Sequence, residues 1–152
     1  MNLMIKISFK FLILFSFISA YIVADDFKTK AKFKPQYPKS AYAKRISGYA
    51  IVEFVINEKG RTEQNSVMTS KCFNLIDKNG NYFWYDFEKK KISAAYDCKY
   101  FDFKALKASK QLIYENYLSK PIEHSYKYNF KHWSLIKVDS VIDLETGDFV
   151  LK

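Results

Sequence analysis

The run from Tyr49 to Ile56 most constrains how the chain can fold. Apart from Glu53 it is made of apolar residues, most of them β-branched or aromatic. A short run of this kind is typical of a strand buried on much of both faces. Gly60 fits the left-handed position of a short hairpin loop, and Thr62–Thr69 gives a less apolar return strand. The sequence therefore predicts a β-hairpin whose first strand lies inside the protein.

Two helices and a third strand are predicted around this hairpin. Lys39–Ile46 is expected to be a brief helix, with Pro38 in its first turn and Gly48 as its C-terminal cap. Phe101–Tyr117 has a wide apolar face at helical spacing, and its small alanines would let it lie close to a sheet. Glu123–Trp133 alternates aromatic and polar residues, as a strand with one buried face does.

Composition places these elements in one domain. The chain has 152 residues, of which 49% are hydrophobic and 27% charged, and this excludes wholesale disorder. With 4 Gly and 3 Pro it has no stiff or flexible linker tract. A net charge of +9 favours anionic partners without identifying one.

The first residues have the layout of a secretory signal peptide. Two lysines in Met1–Lys10 precede the uncharged, almost wholly apolar run Phe11–Ala24, which is shorter than the roughly 20 residues that span a bilayer. We expect a signal peptide over 1–24, a polar lead-in over 25–34 and a periplasmic protein. The alternative is an uncleaved N-terminus that anchors the protein in the inner membrane.

The two cysteines, Cys72 and Cys98, are predicted to form a disulfide that stabilises the fold by roughly 3–4 kcal/mol. A metal pair and a catalytic thiol are the competing interpretations. Neither His124 nor His132 stands at a zinc-type spacing from a cysteine, so no metal site is predicted.

The disulfide would close the base of an insertion over residues 71–100. Its aromatic segment, Tyr82–Tyr85, is interpreted as an accessory hydrophobic cluster, and an aromatic platform for a sugar or peptide is the alternative. After the third strand, residues 136–152 form a C-terminal extension in which we expect a further hairpin.

Taken in order, these residues resemble the C-terminal domain of the TonB energy-transducer family. The resemblance spans residues 35–135 in two blocks, interrupted by the insertion. The first block is the more specific and continues into the predicted hairpin, and the second includes the predicted helix and third strand. The residues that carry the resemblance are Pro35, Gln36, Tyr37, Pro38, Ala41, Arg45, Ile46, Gly48, Gly60, Arg61, Phe101, Asp102, Ala105, Leu106, Ala108 and Tyr114.

The resemblance implies an α+β, two-layer fold with a three-stranded antiparallel sheet packed on two helices. It also implies that a sheet edge binds an extended peptide, such as an outer-membrane receptor segment, by β-strand addition. The final strand, Tyr126–His132, is the expected edge; the same edge could pair two copies into a homodimer. The candidate partner-binding residues are Gln36, Tyr37, Tyr126, Tyr128, Phe130 and His132.

Each of these assignments has a structural alternative. Gln36 could be an ordinary exposed turn residue. The side chains of Tyr126, Tyr128 and Phe130 are expected in the sheet core, which still leaves the backbone of their strand available. The chain lacks the long Pro-rich segment of a transducer, so we expect a binding protein, linked to outer-membrane transport, and not a transducer.

The sequence contains none of the common catalytic or cofactor-binding motifs, and we predict a non-catalytic protein without a cofactor. The acid pairs Asp86 with Glu88 and Asp139 with Asp143 are interpreted as solvated surface residues, and His132 as a satisfied side chain. Nucleic acid is not an expected partner. The alternative function is that of a cationic envelope protein that binds an anionic polymer or lipid, with at most peripheral membrane contact.

Overall fold

The computed structural model of the protein describes residues 28–115 and 120–139. The predicted signal peptide and most of the predicted C-terminal hairpin lie outside these residues. The described elements are β1 (Thr29–Ala31), α1 (Lys39–Ala43), β2 (Ser47–Ile56), β3 (Thr62–Phe73), β4 (Leu75–Asp77), β5 (Tyr82–Asp86), β6 (Lys91–Ala94), β7 (Tyr96–Asp97), α2 (Asp102–Ser109), β8 (Ile113–Tyr114), β9 (Ile122–Phe130) and β10 (Ile136–Val138).

The main sheet is antiparallel and has the strand order β7-β3-β2-β9. β2 is an inner strand, as its apolar sequence predicts, and pairs with β3 on one side and β9 on the other. Its residues Ala50, Val52, Phe54 and Ile56 point to one face and are buried. Each large apolar side chain buried here contributes about 1.5–3 kcal/mol. The predicted three strands are therefore present, and the two-residue β7 makes the sheet four-stranded.

Gly48 is part of β2 and does not cap α1, so the predicted role of this glycine was wrong. A Cβ at Gly48 would lie less than 3.0 Å from the ring of Phe101 and from the carbonyl oxygen of Lys71. The helix ends earlier, because Arg45 takes the left-handed conformation (φ 56°). The Ile46 N–H then donates to the Ala41 carbonyl at 3.0 Å, which closes the helix without a glycine.

The second predicted helix was too long, because α2 ends at Ser109. The Thr62 hydroxyl donates to the Ser109 carbonyl at 2.8 Å, so a tertiary hydrogen bond satisfies that carbonyl. The chain then turns, and Ile113 and Tyr114 form β8, which pairs with β1. Part of the predicted lead-in, residues 29–31, is therefore a strand.

The insertion forms a second sheet that the sequence did not predict, with the order β10-β4-β5-β6. β10 comes from the expected C-terminal extension and runs parallel to β4. The buried side chain of Asn74 replaces part of a strand pairing: its Nδ2 donates to the Tyr85 carbonyl at 2.8 Å, and its Oδ1 accepts the Tyr85 N–H at 2.7 Å. Within the described residues, no helix is long and apolar enough to cross a membrane.

The insertion also covers one end of the outer face of the main sheet. Tyr82 stacks on Phe73 with ring centroids 4.2 Å apart. The ring centroid of Tyr49 on β2 lies 5.6 Å from that of Tyr82. The ammonium of Lys127 on β9 lies 3.9 Å from the Tyr49 centroid and 5.1 Å from that of Tyr82. The aromatic segment is thus largely a packing cluster, as the first interpretation expected.

The predicted disulfide is present and joins Cys72 on β3 to Cys98, 26 residues later in the chain. Because it links the two ends of the insertion, reduction should lower the free energy of unfolding by about 3–4 kcal/mol. Urea denaturation with and without reductant measures this difference. Alkylation without reduction should leave the intact mass unchanged, and two alkylated cysteines would contradict the bond.

Gly48→Ala should destabilise the fold by at least about 3 kcal/mol, because the new methyl group meets both a ring and a backbone oxygen. The matched control is Gly80→Ala, since Gly80 has φ +85° but nothing within 4 Å of an added Cβ. That substitution should cost about 1 kcal/mol. Urea denaturation of the two variants tests the prediction, which fails if they are equally stable.

Candidate functional site

β9 is an open edge of the main sheet. Its pairing with β2 runs without a register shift from Gly48 opposite Phe130 to Ile56 opposite Ile122. Among the described residues, no strand pairs with its other side. In an antiparallel strand, alternate residues direct their N–H and C=O groups away from the neighbour. β9 therefore presents a regular row of backbone donors and acceptors, at the strand that the resemblance implied.

The opposite edge of the sheet is irregular by comparison. β3 has two register shifts against β2, one beside Ile51 and Val52 and one between Glu53 and Val55. Gln64 on β3 has a positive φ of 55°. β7 covers β3 at Lys71 and Cys72. Bulges of this kind twist an edge and discourage the addition of a further strand, so β9 is the better docking edge.

The aromatic side chains of β9 point inward and support the strand from within. Tyr128 and Phe130 are buried, and Tyr126 is half-buried. Phe130 stacks on Phe101, the residue just before α2, with ring centroids 4.6 Å apart. Burial raises the pKa of the Tyr128 hydroxyl above its ordinary value, which keeps the side chain neutral. The buried rings of Tyr128 and Phe130 cannot contact a partner, whereas the backbone of their strand can.

Tyr37 belongs to the same aromatic cluster, whereas Gln36 points elsewhere. The ring of Tyr37 meets Phe101 and Phe130 edge-on at 6.0 and 5.9 Å, and its hydroxyl donates to the Ile46 carbonyl. Burial raises the pKa of Tyr37 to about 12. Gln36 is exposed, and its Oε1 accepts a hydrogen bond from Lys104 on α2 at 2.9 Å. The structure thus brings Tyr37 to the end of β9 and directs Gln36 towards α2.

His132 is a buried histidine just beyond the end of β9, 4% exposed. Its backbone N–H donates to the Ser47 hydroxyl at 2.9 Å, and its Nδ1 accepts the Ser134 backbone N–H at 3.1 Å. Nδ1 also lies 2.7 Å from the Ser134 hydroxyl oxygen. Burial and the nearby Arg45 guanidinium lower the pKa of His132. Its side chain fixes the strand end and does not offer a surface to a partner.

The outward-facing residues of β9 were missed as candidates. Ser125, Lys127 and Asn129 are exposed and alternate with the buried aromatic residues. They would flank the side chains of a strand added to this edge. The same alternation that predicted the buried face also identifies this exposed one.

Asp86, from one of the two acid pairs, makes hydrogen bonds within its own turn. Asp86 closes a turn, since its Oδ1 accepts the N–H groups of Glu88 and Lys89 at 3.0 and 3.1 Å. The Lys89 hydrogen bond is the main reason that the pKa of Asp86 is lowered. Asp143, of the other pair, lies outside the described residues. Within the described ranges, no group of three or more His, Cys, Asp or Glu side chains could hold a metal ion.

Comparison with known proteins agrees with the resemblance found in the sequence. Residues 34–81 match the family described as the C-terminal part of the Gram-negative bacterial TonB protein. A similar solved structure is the solution NMR structure of the Pseudomonas aeruginosa TonB C-terminal domain, with 19% sequence identity and a TM-score of 0.45. That similarity covers 74% of this chain and 92% of the other. No curated protein matches the chain.

The imidazole of His132 should titrate below its ordinary pKa of 6.5, because burial and Arg45 disfavour its charged form. Arg45→Gln should raise that pKa towards 6.5. His124, whose pKa is lowered by burial, is the internal control and should not respond. The ring proton signals of both residues, followed by NMR against pH, give the two values, and a His132 midpoint at or above 6.5 would contradict the assignment.

The same shift has a consequence for stability. The unfolded imidazole binds its proton at a higher pH than the folded one, so the unfolded state holds more protons between the two pKa values. The contribution of His132 to the free energy of unfolding therefore falls as the pH decreases from 7 through 6.5.

Proposed function

Since residues 34–81 match the TonB C-terminal family, we propose that the protein is a non-catalytic module that binds an extended peptide by β-strand addition to β9. The peptide would be a segment of an outer-membrane receptor or another envelope protein. It would lie alongside Ile122–Phe130 and continue the main sheet.

The observation that carries the proposal is the contrast between the two sheet edges. β9 is nine residues long and pairs with β2 in one continuous register, whereas β3 is bulged and partly covered. Because the side chains of β9 are already packed, its backbone is held in an extended conformation before a peptide arrives. A preorganised edge loses little conformational entropy on binding.

A location in the bacterial envelope is part of this proposal. The disulfide is of a kind that persists in oxidising compartments such as the periplasm. We propose that residues 1–24 direct export and that the binding domain works in the periplasm, in connection with outer-membrane transport. The free β9 edge also offers a route to a homodimer, in which two copies of the strand would pair.

A second candidate function, binding of an anionic polymer or lipid, is favoured by lysines beside α2. Lys34, Lys104 and Lys107 surround a surface cleft of about 160 Å³ together with Gln36 and Gln111. None of the described residues that line this cleft is acidic. Such a site would attract phosphate or carboxylate groups.

An extended peptide from the periplasmic segment of an outer-membrane receptor should shift the backbone amide NMR signals of Ile122–Phe130. The amide signals of Thr62–Ser70, on the opposite edge, serve as the control and should not move. Peptides N-methylated at alternate positions provide the decisive comparison. Methylating the N–H groups that face β9 removes about three hydrogen bonds and should weaken binding about 100-fold. Methylating the other set should have little effect.

Salt separates the two candidate functions. Strand addition should survive up to about 0.3 M salt, whereas binding through lysines should collapse there. Shifts confined to Lys34, Lys104 and Lys107, with both N-methylated peptides binding equally, would contradict strand addition and favour the anionic ligand.

A further inference from the structure

A second surface, separate from the β9 edge, lies between α1 and the insertion. It is a cleft of about 300 Å³, and we call it the insertion cleft. That volume suits a ligand of one or two residues. Its lining residues are Lys44, Arg45, Asn74, Trp84, Phe87 and Ser134.

Two cations are fixed at the cleft by aromatic residues and not by acids. The Lys44 ammonium donates to the Tyr100 hydroxyl at 2.8 Å, and Arg45 lies 5.9 Å from the Trp133 ring centroid. Within the described part of the chain, neither cation forms an ion pair, and no residue lining the cleft is acidic. Two neighbouring cations without a counter-charge produce a positive potential at the cleft.

Two aromatic residues in or beside the cleft are exposed, and a third is half-buried. Phe87, which lines the cleft, is 66% exposed, and Trp133, whose ring lies near Arg45 but does not line the cleft, is 74% exposed. Trp84 is half-buried, and its ring is held edge-on against Tyr96 at 5.0 Å. Aromatic side chains beside arginine are typical of the energetically important centres of protein interfaces.

We propose that the insertion cleft binds an acidic segment of a protein partner, in which a carboxylate neighbours an aromatic or large apolar side chain. The carboxylate would contact Lys44 and Arg45, and the apolar side chain would pack against Trp84 and Phe87. The choice of a peptide as the ligand of this cleft rests on the proposed function. Ser134 lines the cleft a few residues after β9 ends at Phe130, so a peptide on the β9 edge could continue towards it.

The test uses the full chain and the tripeptide amide acetyl-Asp-Phe-Asp, with acetyl-Asn-Phe-Asn as the neutral control. The chain has 2 Trp. Trp84 lines the cleft and its indole N–H signal reports binding directly, whereas Trp133 reports it through the neighbouring Arg45. The acidic peptide should shift both signals and bind about fivefold more tightly than the neutral one, as expected for partly exposed charge pairs. Equal affinity for the two peptides would overturn the proposal.

Matched variants locate the site. Lys44→Gln and Arg45→Gln should each remove most of the preference for the acidic peptide, whereas Lys39→Gln, at the start of α1 and outside the cleft, should retain it. Phe87→Ala should weaken binding of both peptides. Phe103→Ala removes a ring of similar exposure, 71%, from α2 and should have no effect. If the control variants lose as much affinity as the cleft variants, the binding is non-specific and the proposal is wrong.

Other occupants give different results. If the neutral disaccharide chitobiose shifts the indole signals at lower concentration than the acidic tripeptide, the cleft is a carbohydrate site. If the full-chain variant with Asp143→Asn, Glu145→Gln and Asp148→Asn binds the tripeptide severalfold more tightly, the C-terminal acids of the chain itself occupy the cleft. Either result would overturn the proposal that the cleft binds a segment of a partner protein.

The two proposals can fail separately. A tripeptide is too short to add a strand, and its readout is the two indole signals. Strand addition is measured at the Ile122–Phe130 amides with longer peptides and depends on N-methylation. Loss of one response therefore leaves the other measurable.

Discussion

The approach of the Phe101 ring to the backbone of Gly48 holds the main parts of the fold together. Phe101 is fully buried immediately before α2, and it contacts β2 at a position where no side chain could fit. The same ring stacks on Phe130 of β9 and meets Tyr37 edge-on. One aromatic residue thus fixes the helix, the central strand, the edge strand and the segment before α1 relative to one another. The geometry of the β9 edge depends on this contact.

The insertion changes what surrounds that edge without covering it. Its Tyr82 ring packs on the outer face of the sheet, and the ammonium of Lys127 on β9 lies near this ring and that of Tyr49 on β2. The disulfide joins the two ends of the insertion to each other, so this sheet cannot separate far from β3. Because it is held in place, the insertion also supplies Trp84 and Phe87 as one wall of a cleft at the Phe130 end of β9. The insertion would therefore add a second binding surface to the one that we propose at the sheet edge.

The features that the sequence predicted are local patterns of residues. The features that it missed depend on hydrogen bonds between distant parts of the chain. The buried strand β2, the left-handed Gly60 and the alternation of β9 are local signals, and the structure contains all three. The end of α2 was not predictable in this way, because the Thr62 hydroxyl, 47 residues earlier in the chain, satisfies the Ser109 carbonyl.

The second sheet has a similar origin. The Ile136 N–H donates to the Asn74 carbonyl at 2.9 Å, and this places β10 beside β4. No local pattern near either residue indicates such a pairing. The identity of the edge strand came from the resemblance, whereas the insertion cleft unites residues from three separate parts of the sequence. Only the three-dimensional structure could bring them together.

The arrangement separates affinity from selectivity. Backbone hydrogen bonds along β9 are available to any extended peptide, because every residue except proline carries the same N–H and C=O groups. The buried side chains of β9, Tyr128 and Phe130, cannot contact a ligand. Under the proposed function, selection among peptides would come from exposed side chains: Ser125, Lys127 and Asn129 on β9 itself, and the cations Lys44 and Arg45 of the insertion cleft. A long peptide could bind the edge by its backbone and the cleft by its charge, and its overall affinity would then exceed that of either contact alone.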